Sequence, residues 1–499
     1  MKRAPKRISK VPSLAESAKH LLTRFQDSIG VSAASAAIDP RGAAAIAIDP
    51  LVPSTNAPQL RGKRKSFVRP TSLLQEQTSF QPAPPPAPLA APSVDSPLIS
   101  SNSAVMETHF GPPPRRRLLS ISHSYAVGVN RRLAHEMALL GGGTWDVTAV
   151  APHYFHGSGD LRPVTFHSEQ NEPCRVEVVP AHLTRFVHLF MYGPQLKEVL
   201  REPWDLIHAW EEPYIVVGYQ IARWAKPRVP LVYRTAQSLI KNYPPPFNWM
   251  EAHNMARAAG WICSGTLVAE TLGARELYQR RPVRLIPLGV DMDFYRRRSD
   301  GYEQALKELE WDRNGPPVIG YMGRFVTAKG LHMLSEALDD LHTPWRALFL
   351  GAGPMEAFLR RWGDRYGDRV RICTKVQHND VPRYLSVMDV MAAPSQTSRN
   401  WREQFGRMLI EAFAAGVPVV GSDSGEIPYV IGDAGVVCGE KDHHAWVREL
   451  RSLLDSPLRR AELAQRGLDR ANRYFAWPVV AQQYLEFFEE LAASHTGIS

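Results

Sequence analysis

The chain has 499 residues, 44% of them apolar, and a formal charge of +9, a length that suggests two or three domains. Residues 1–117 carry 16 basic and 7 acidic side chains, and the remainder balances at 43 of each, so a nucleic-acid footprint on the globular part is not supported. The four cysteines, Cys174, Cys263, Cys373 and Cys438, show no CxxC spacing, which argues against a disulfide framework or a zinc site and for a reducing cytoplasm.

Residues 1–114 read as a disordered tail. The run 81–92 is Pro-rich and polyproline-like, and 61–65 is a small basic cluster expected to attract an anionic membrane surface only weakly. No apolar run approaches the ~18 residues of a membrane span, and the basic start is not followed by a signal-peptide core. Met106, just before the folded region, is a candidate start.

From Arg117 onward the pattern is regular. Short apolar runs at 118–121, 145–150, 204–210, 230–234, 260–263 and 283–288 read as strands, mostly separated by helical segments. A second set follows at 318–322, 346–350, 370–373, 390–393, 417–420 and 435–438. Such alternation implies parallel sheets with helices on both faces. Two doubly wound halves place a ligand crevice at the carboxyl ends of both sheets. The boundaries expected are 115–295, 296–475 and a last amphipathic helix in 476–499 that packs back on the first half.

The candidate chemistry lies at strand exits. Gly323 allows a tight exit from 318–322, and Arg324 and Lys329 stand above a helix that begins near Gly330. Two cations beside a helix N-terminus form a diphosphate site. Gly406 lets a phosphate approach the backbone. Glu403 and Glu411 flank Phe405, Met408 and Leu409 at helical spacing. A helix over this stretch sets the carboxylates roughly 12 Å apart, each able to accept hydrogen bonds from hydroxyls or to stand on a solvated face. In the first half, His123 and the pair Glu211 and Glu212 follow strands, where either an acceptor-binding or a structural role fits. Asp291 and Asp293 have Asp-x-Asp spacing, but at the linker, so no metal is expected.

Gly323-Arg324, Lys329-Gly330 and the Glu403/Glu411 spacing resemble the GT4 family of retaining glycosyltransferases, over about residues 117–494. The resemblance implies an α/β, GT-B fold with two facing Rossmann-like domains and a co-substrate, a nucleoside-diphosphate-sugar, with no cofactor. It implies that Arg324 and Lys329 hold the donor diphosphate, that Glu403 faces the transferred sugar and that Glu411 holds the ribose, with Phe405 and Gly406 beside them. Gly128 corresponds to a glycine loop near the donor phosphates. Gln237 stands where many relatives place an active-site histidine, and glutamine cannot act as a base near pH 7. The expected activity is hexosyl transfer to a hydroxyl of a glycan, lipid-linked sugar or metabolite. The alternatives are an isomerase or hydrolase of nucleotide-sugars and a non-catalytic sensor. Neither the acceptor nor the oligomeric state follows from the sequence.

Overall fold

The structure, a computed structural model, describes residues 115–157 and 163–496. The segment read as a disordered tail, including Met106, lies outside them.

Seven parallel strands form the first sheet: β1 (Arg116–Ile121), β2 (Trp145–Pro152), β3 (Arg175–Val179), β4 (Leu206–Ala209), β5 (Leu231–Thr235), β6 (Gly260–Cys263) and β7 (Val283–Leu285), in the order β7-β6-β5-β4-β1-β2-β3. Six form the second: β8 (Val318–Met322), β9 (Arg346–Leu350), β10 (Val370–Cys373), β11 (Val390–Ala393), β12 (Val419–Ser422) and β13 (Val436–Cys438), in the order β10-β9-β8-β11-β12-β13. Every residue of β4, β5, β6 and β11 is buried. Burial on both faces is why β6 and β11 read as unbroken apolar runs and not as alternating ones. In each sheet the first strand lies between its second and its fourth, β1 between β2 and β4 and β8 between β9 and β11. Such a reversal opens a crevice at the strands' carboxyl ends.

β3 is absent from the sequence reading. It is an edge strand with Arg175 and Val178 exposed, and its Arg175–Glu177 pair at 2.6 Å interrupts the apolar signal. Charged residues of this kind guard a sheet edge against further pairing.

The helix expected to begin at Glu403 requires a correction. Helix α3, defined below with its neighbours, starts only at Arg407, and Glu403 lies in the preceding loop. The described helices that matter for the site are α1 (Gly128–Gly141), α2 (Leu331–Asp339), α3 (Arg407–Ala414) and α4 (Trp477–Thr496). Gly406 caps α3 with φ +81°, a left-handed conformation that glycine adopts without steric cost and that cannot continue a helix backwards. The far end of α3 is as expected: Gly416 has φ +66°, and the bonds Val417 N–H to Ala412 O and Gly416 N–H to Phe413 O, both 2.9 Å, close the helix in a Schellman turn.

α4 packs across α1, and its Tyr484, Phe487, Phe488 and Leu491 share one apolar core with Leu118, Leu133 and Trp145 of the first half. Phe488 is fully buried. Phe488→Ala is therefore expected to cost about 3–5 kcal/mol, read as a lower denaturation midpoint for the whole chain.

Candidate active site

A cleft of about 340 Å³ opens where β8 and β11 end, lined by Gly323, Arg324, Lys329, Glu403, Arg407 and Glu411 among others. The second-half residues singled out for chemistry thus share one cavity, apart from Phe405 and Gly406. The Phe405 side chain turns away into the core, against Phe475 at 6.0 Å between ring centroids, and Gly406 contributes the turn that starts α3.

Lys329 Nζ pairs with Glu403 Oε2, which also accepts a hydrogen bond from Ser395 Oγ at 2.7 Å. The ammonium stands 5.1 Å from the centroid of the Trp401 ring, a cation–π arrangement. Glu403 Oε1 has no hydrogen-bond partner among the described residues. The Arg324 guanidinium is exposed and, like that of Arg407, forms no ion pair or hydrogen bond with any described residue. Two unpaired guanidinium groups and a lysine thus line one cleft beside the first turn of α3, and planar, multidentate donors of this kind suit an anion. The sequence reading missed Arg407. It reads as one polar position in an apolar helix, and its signal was its place directly after the capping glycine.

Glu403 owes its place to the backbone around it. Glu426 N–H donates to Glu403 O at 3.1 Å. Gly425, at φ +59°, approaches so closely that a Cβ there would stand 1.9 Å from Glu403 O. On either side the loop docks on the first half: Arg402 Nε donates to Ser238 O at 2.7 Å, and Gln404 Nε2 to Ala236 O at 3.0 Å. The buried Glu426 carboxylate accepts from Leu267 N–H at 2.5 Å and Val268 N–H at 3.3 Å, capping the helix Thr266–Gly273 with a negative charge. Burial nevertheless holds its pKa above the usual carboxylate value. Through Glu426, the run 422–428 is therefore a tie between the halves.

Glu411 is buried on α3, and burial pushes its pKa up, opposed by the Arg407 guanidinium. A carboxyl whose folded pKa exceeds its unfolded one contributes stability below the unfolded value, and that contribution is lost as pH rises through the folded value. At pH 7.5 the ionised form therefore costs stability. Glu411→Gln is expected to raise the unfolding temperature at that pH and to weaken nucleoside-diphosphate binding by about tenfold, the loss expected for one charge-assisted hydrogen bond. Calorimetry with and without nucleotide reads both.

In the first half, the residues singled out divide. His123, at the exit of β1, meets Glu211, at the exit of β4, through Nδ1 to Oε2 at 2.7 Å and backbone N–H to Oε1 at 2.6 Å. Burial lowers the ring's pKa, but the Glu211 carboxylate outweighs it and the ring titrates above its ordinary value. Glu212 instead accepts from Thr235 Oγ1 at 2.5 Å and Ala236 N–H at 2.8 Å, fixing the exit of β5. Gln237 is buried, and its amide donates to Leu239 O at 3.2 Å. Gly128 opens α1 on a neighbouring cavity of about 780 Å³ that also includes Asp291, Phe294 and His378, not on the Arg324 cleft. Asp291 caps a short helix by accepting from Asp293 and Phe294 N–H. Among the described residues no group of three or more His, Cys, Asp or Glu is placed to hold a metal ion.

Two doubly wound sheets, a helix returning from the second half to the first and a cation-lined cleft at the switch point define the GT-B class. Residues 127–294 match the family model Glycosyltransferase Family 4, and residues 306–470 match Glycosyl transferases group 1. The chain is a GT-B fold glycosyltransferase of the superfamily to which these two models belong. It is 27% identical to spore coat protein SA of Bacillus subtilis over 47% of this chain and 68% of that one. It is 31% identical to the D-inositol 3-phosphate glycosyltransferase of Xylanimonas cellulosilytica over 42% of this chain, spanning about half (51%) of that relative. Among solved structures, sucrose-phosphate synthase of Thermosynechococcus elongatus shares the fold with a TM-score of 0.58 and 20% identity, over 76% of this chain and 100% of that one. HepE of Anabaena, solved with UDP and glucose, does so with a TM-score of 0.57 and 18% identity, over 75% and 100%.

Proposed function

We propose that the protein moves a sugar from a nucleoside-diphosphate-sugar to a hydroxyl acceptor with retention of anomeric configuration. One observation carries this reading: Arg324, Lys329, Glu403 and Glu411 line a single cleft. Arg324 and Lys329, with Arg407, hold the diphosphate and stabilise the charge that develops on it as it departs. Glu403 Oε1 accepts from a hydroxyl of the transferred sugar, and Glu411 from the ribose. With Gln237 in place of a histidine, the proton of the attacking hydroxyl passes to the departing phosphate. Catalysis then rests on charge stabilisation and on placing the two substrates.

The relatives support the class of reaction. One is a D-inositol 3-phosphate glycosyltransferase, and another is a GDP-mannose-dependent mannosyltransferase of Corynebacterium glutamicum. The test is product analysis by NMR with a panel of nucleotide-sugars. A new glycosidic bond with the donor's anomeric configuration supports the reading. An inverted product contradicts retention, and an epimerised donor or free sugar alone points to the isomerase or hydrolase.

A further inference from the structure

We propose that Glu426 is a positioning residue for the transfer: its carboxylate, seated in the first half, holds the peptide of Glu403 where that side chain meets the donor sugar. This rests on the transferase reading above and names the first-half contact on which the sugar end of the donor cleft depends.

Glu403 sits in a loop, so no helix fixes its backbone. The run 422–426 braces that loop from behind at three points. Ser422 Oγ donates to Ser395 O at 2.6 Å, the Thr397 and Ser424 hydroxyls meet at 3.0 Å, and Glu426 N–H donates to Glu403 O at 3.1 Å. Ser422, Ser424 and Glu426 are all buried, so these bonds are made away from water, where an unmade one is costly. The Glu403 peptide thus takes its position from Glu426, and its side chain then meets Lys329 and Ser395.

Glu426 is in turn held by the first half. Besides the Leu267 and Val268 amides, its carboxylate accepts from Thr266 Oγ1 at 3.4 Å. The berth exists because residue 265 is glycine: a Cβ there would stand 2.3 Å from Glu426 Cδ and 2.4 and 2.6 Å from its two oxygens. The backbone of Gly265 is extended, at φ −167°, a conformation open to any residue. Space, not conformation, therefore calls for glycine. The same helix, Thr266–Gly273, takes a second contact from the neighbour of Glu403: Arg402 Nη2 donates to Thr271 Oγ1 at 3.2 Å. A carboxylate so placed gains its charge-assisted bonds only while the two halves are joined.

The two ends of the donor cleft consequently differ in what supports them. The Arg324 and Arg407 guanidinium groups, unpaired among the described residues, take no support from the first half, so the diphosphate end stands on the second half alone. The sugar end, through Glu403, stands on both. A nucleoside diphosphate therefore binds without the Glu426 berth, whereas its sugar conjugate and the transfer step need it. Misplacing a group at a reacting centre by about 1 Å costs up to about 10²-fold in rate, and a carbonyl freed from its brace has room for that.

The experiment empties the berth from either side. Gly265→Ala fills it without touching the second half, Glu426→Ala removes the carboxylate, and Glu426→Gln keeps an acceptor for the two amides. UDP, GDP, ADP and dTDP, with their glucose and mannose conjugates, are titrated by calorimetry. Turnover is followed by NMR with methyl glycosides, myo-inositol and myo-inositol phosphate as acceptors. The expected result is a nucleoside-diphosphate Kd within about twofold of wild type in every variant, which also shows the second half folded, and a lower ratio of conjugate to diphosphate affinity. Turnover falls about 10²-fold in Gly265→Ala and Glu426→Ala and less in Glu426→Gln. Gly265→Ala adds little to Glu426→Ala, since both empty one berth, and little to Glu403→Gln, since the berth acts through that residue. Wild-type turnover in Gly265→Ala, diphosphate and conjugate Kd rising together, or a loss that multiplies with that of Glu403→Gln overturns the proposal alone. A wild type that consumes none of these nucleotide-sugars overturns the transferase reading and the proposal with it.

Discussion

Arg324→Ala is expected to lower sugar transfer by about 10²–10³-fold, the loss typical of removing one preorganised charge-stabilising donor, with the unfolding temperature unchanged. The two halves of this result have separate causes. Arg324 is exposed and bonded through its side chain to no described residue, so folding gains nothing measurable from its guanidinium. That same freedom leaves its hydrogen-bond donors for an incoming diphosphate. The loss is expected in kcat and in donor KM together, because the guanidinium holds the diphosphate of the bound donor and meets a growing charge on the bridging oxygen as the sugar departs. Steady-state kinetics beside a thermal melt checks both halves. Lys329→Ala is a less clean probe, since it also removes the cation that Glu403 faces and leaves a largely buried carboxylate unpaired.

Glu403→Gln is the second large effect, with transfer reduced by about 10²-fold while nucleoside-diphosphate affinity stays within about threefold. Glutamine preserves the shape, and its carbonyl oxygen can still accept from Ser395. What is lost is the negative charge facing Lys329 and the charge-assisted hydrogen bond to the sugar. Kinetics with the nucleotide-sugar, set beside titration calorimetry with the nucleoside diphosphate alone, separates the two contributions. Equal losses in both measurements assign Glu403 to the nucleotide end of the donor and contradict its role at the sugar.

The parallel sheets were legible because their strands are buried on both faces. An unbroken run such as that of β11 has few other readings in a chain that alternates strands with helices. The edge strand β3 was not legible, since its charges mask it. At the site, Arg324 and Lys329 stood out because cations at a strand exit beside a helix start are uncommon without a ligand. Glu403 lines one cleft with Arg324 and Lys329, but from a loop and not from the helix the spacing suggested. The i, i+3, i+4 pattern of Phe405, Met408 and Leu409 is satisfied by burial alone, and Phe405 is buried from a loop as well as it would be from a helix. The signal against a helix was Gly406, read as an opening for phosphate although it also breaks the helix. Glu426 was not legible at all, because its partners, the backbone amides of Leu267 and Val268, lie some 160 residues earlier in the chain.

In the proposed reaction one molecule bridges the cations and both acids of the cleft. The most direct measurement is the unfolding temperature of wild type, Arg324→Ala and Glu411→Gln against a panel of nucleosides, nucleoside diphosphates and their sugar conjugates. A ligand that binds only the folded state stabilises it by about 2.7 kcal/mol at a hundred times its Kd. The expected result is that at least one nucleoside diphosphate and its sugar conjugate stabilise the wild type, that the parent nucleoside does so far less, that Arg324→Ala loses most of the shift, and that Glu411→Gln, with about tenfold weaker binding, loses about half of it. A panel in which no nucleoside diphosphate raises the unfolding temperature, or in which Arg324→Ala responds as the wild type does, contradicts it.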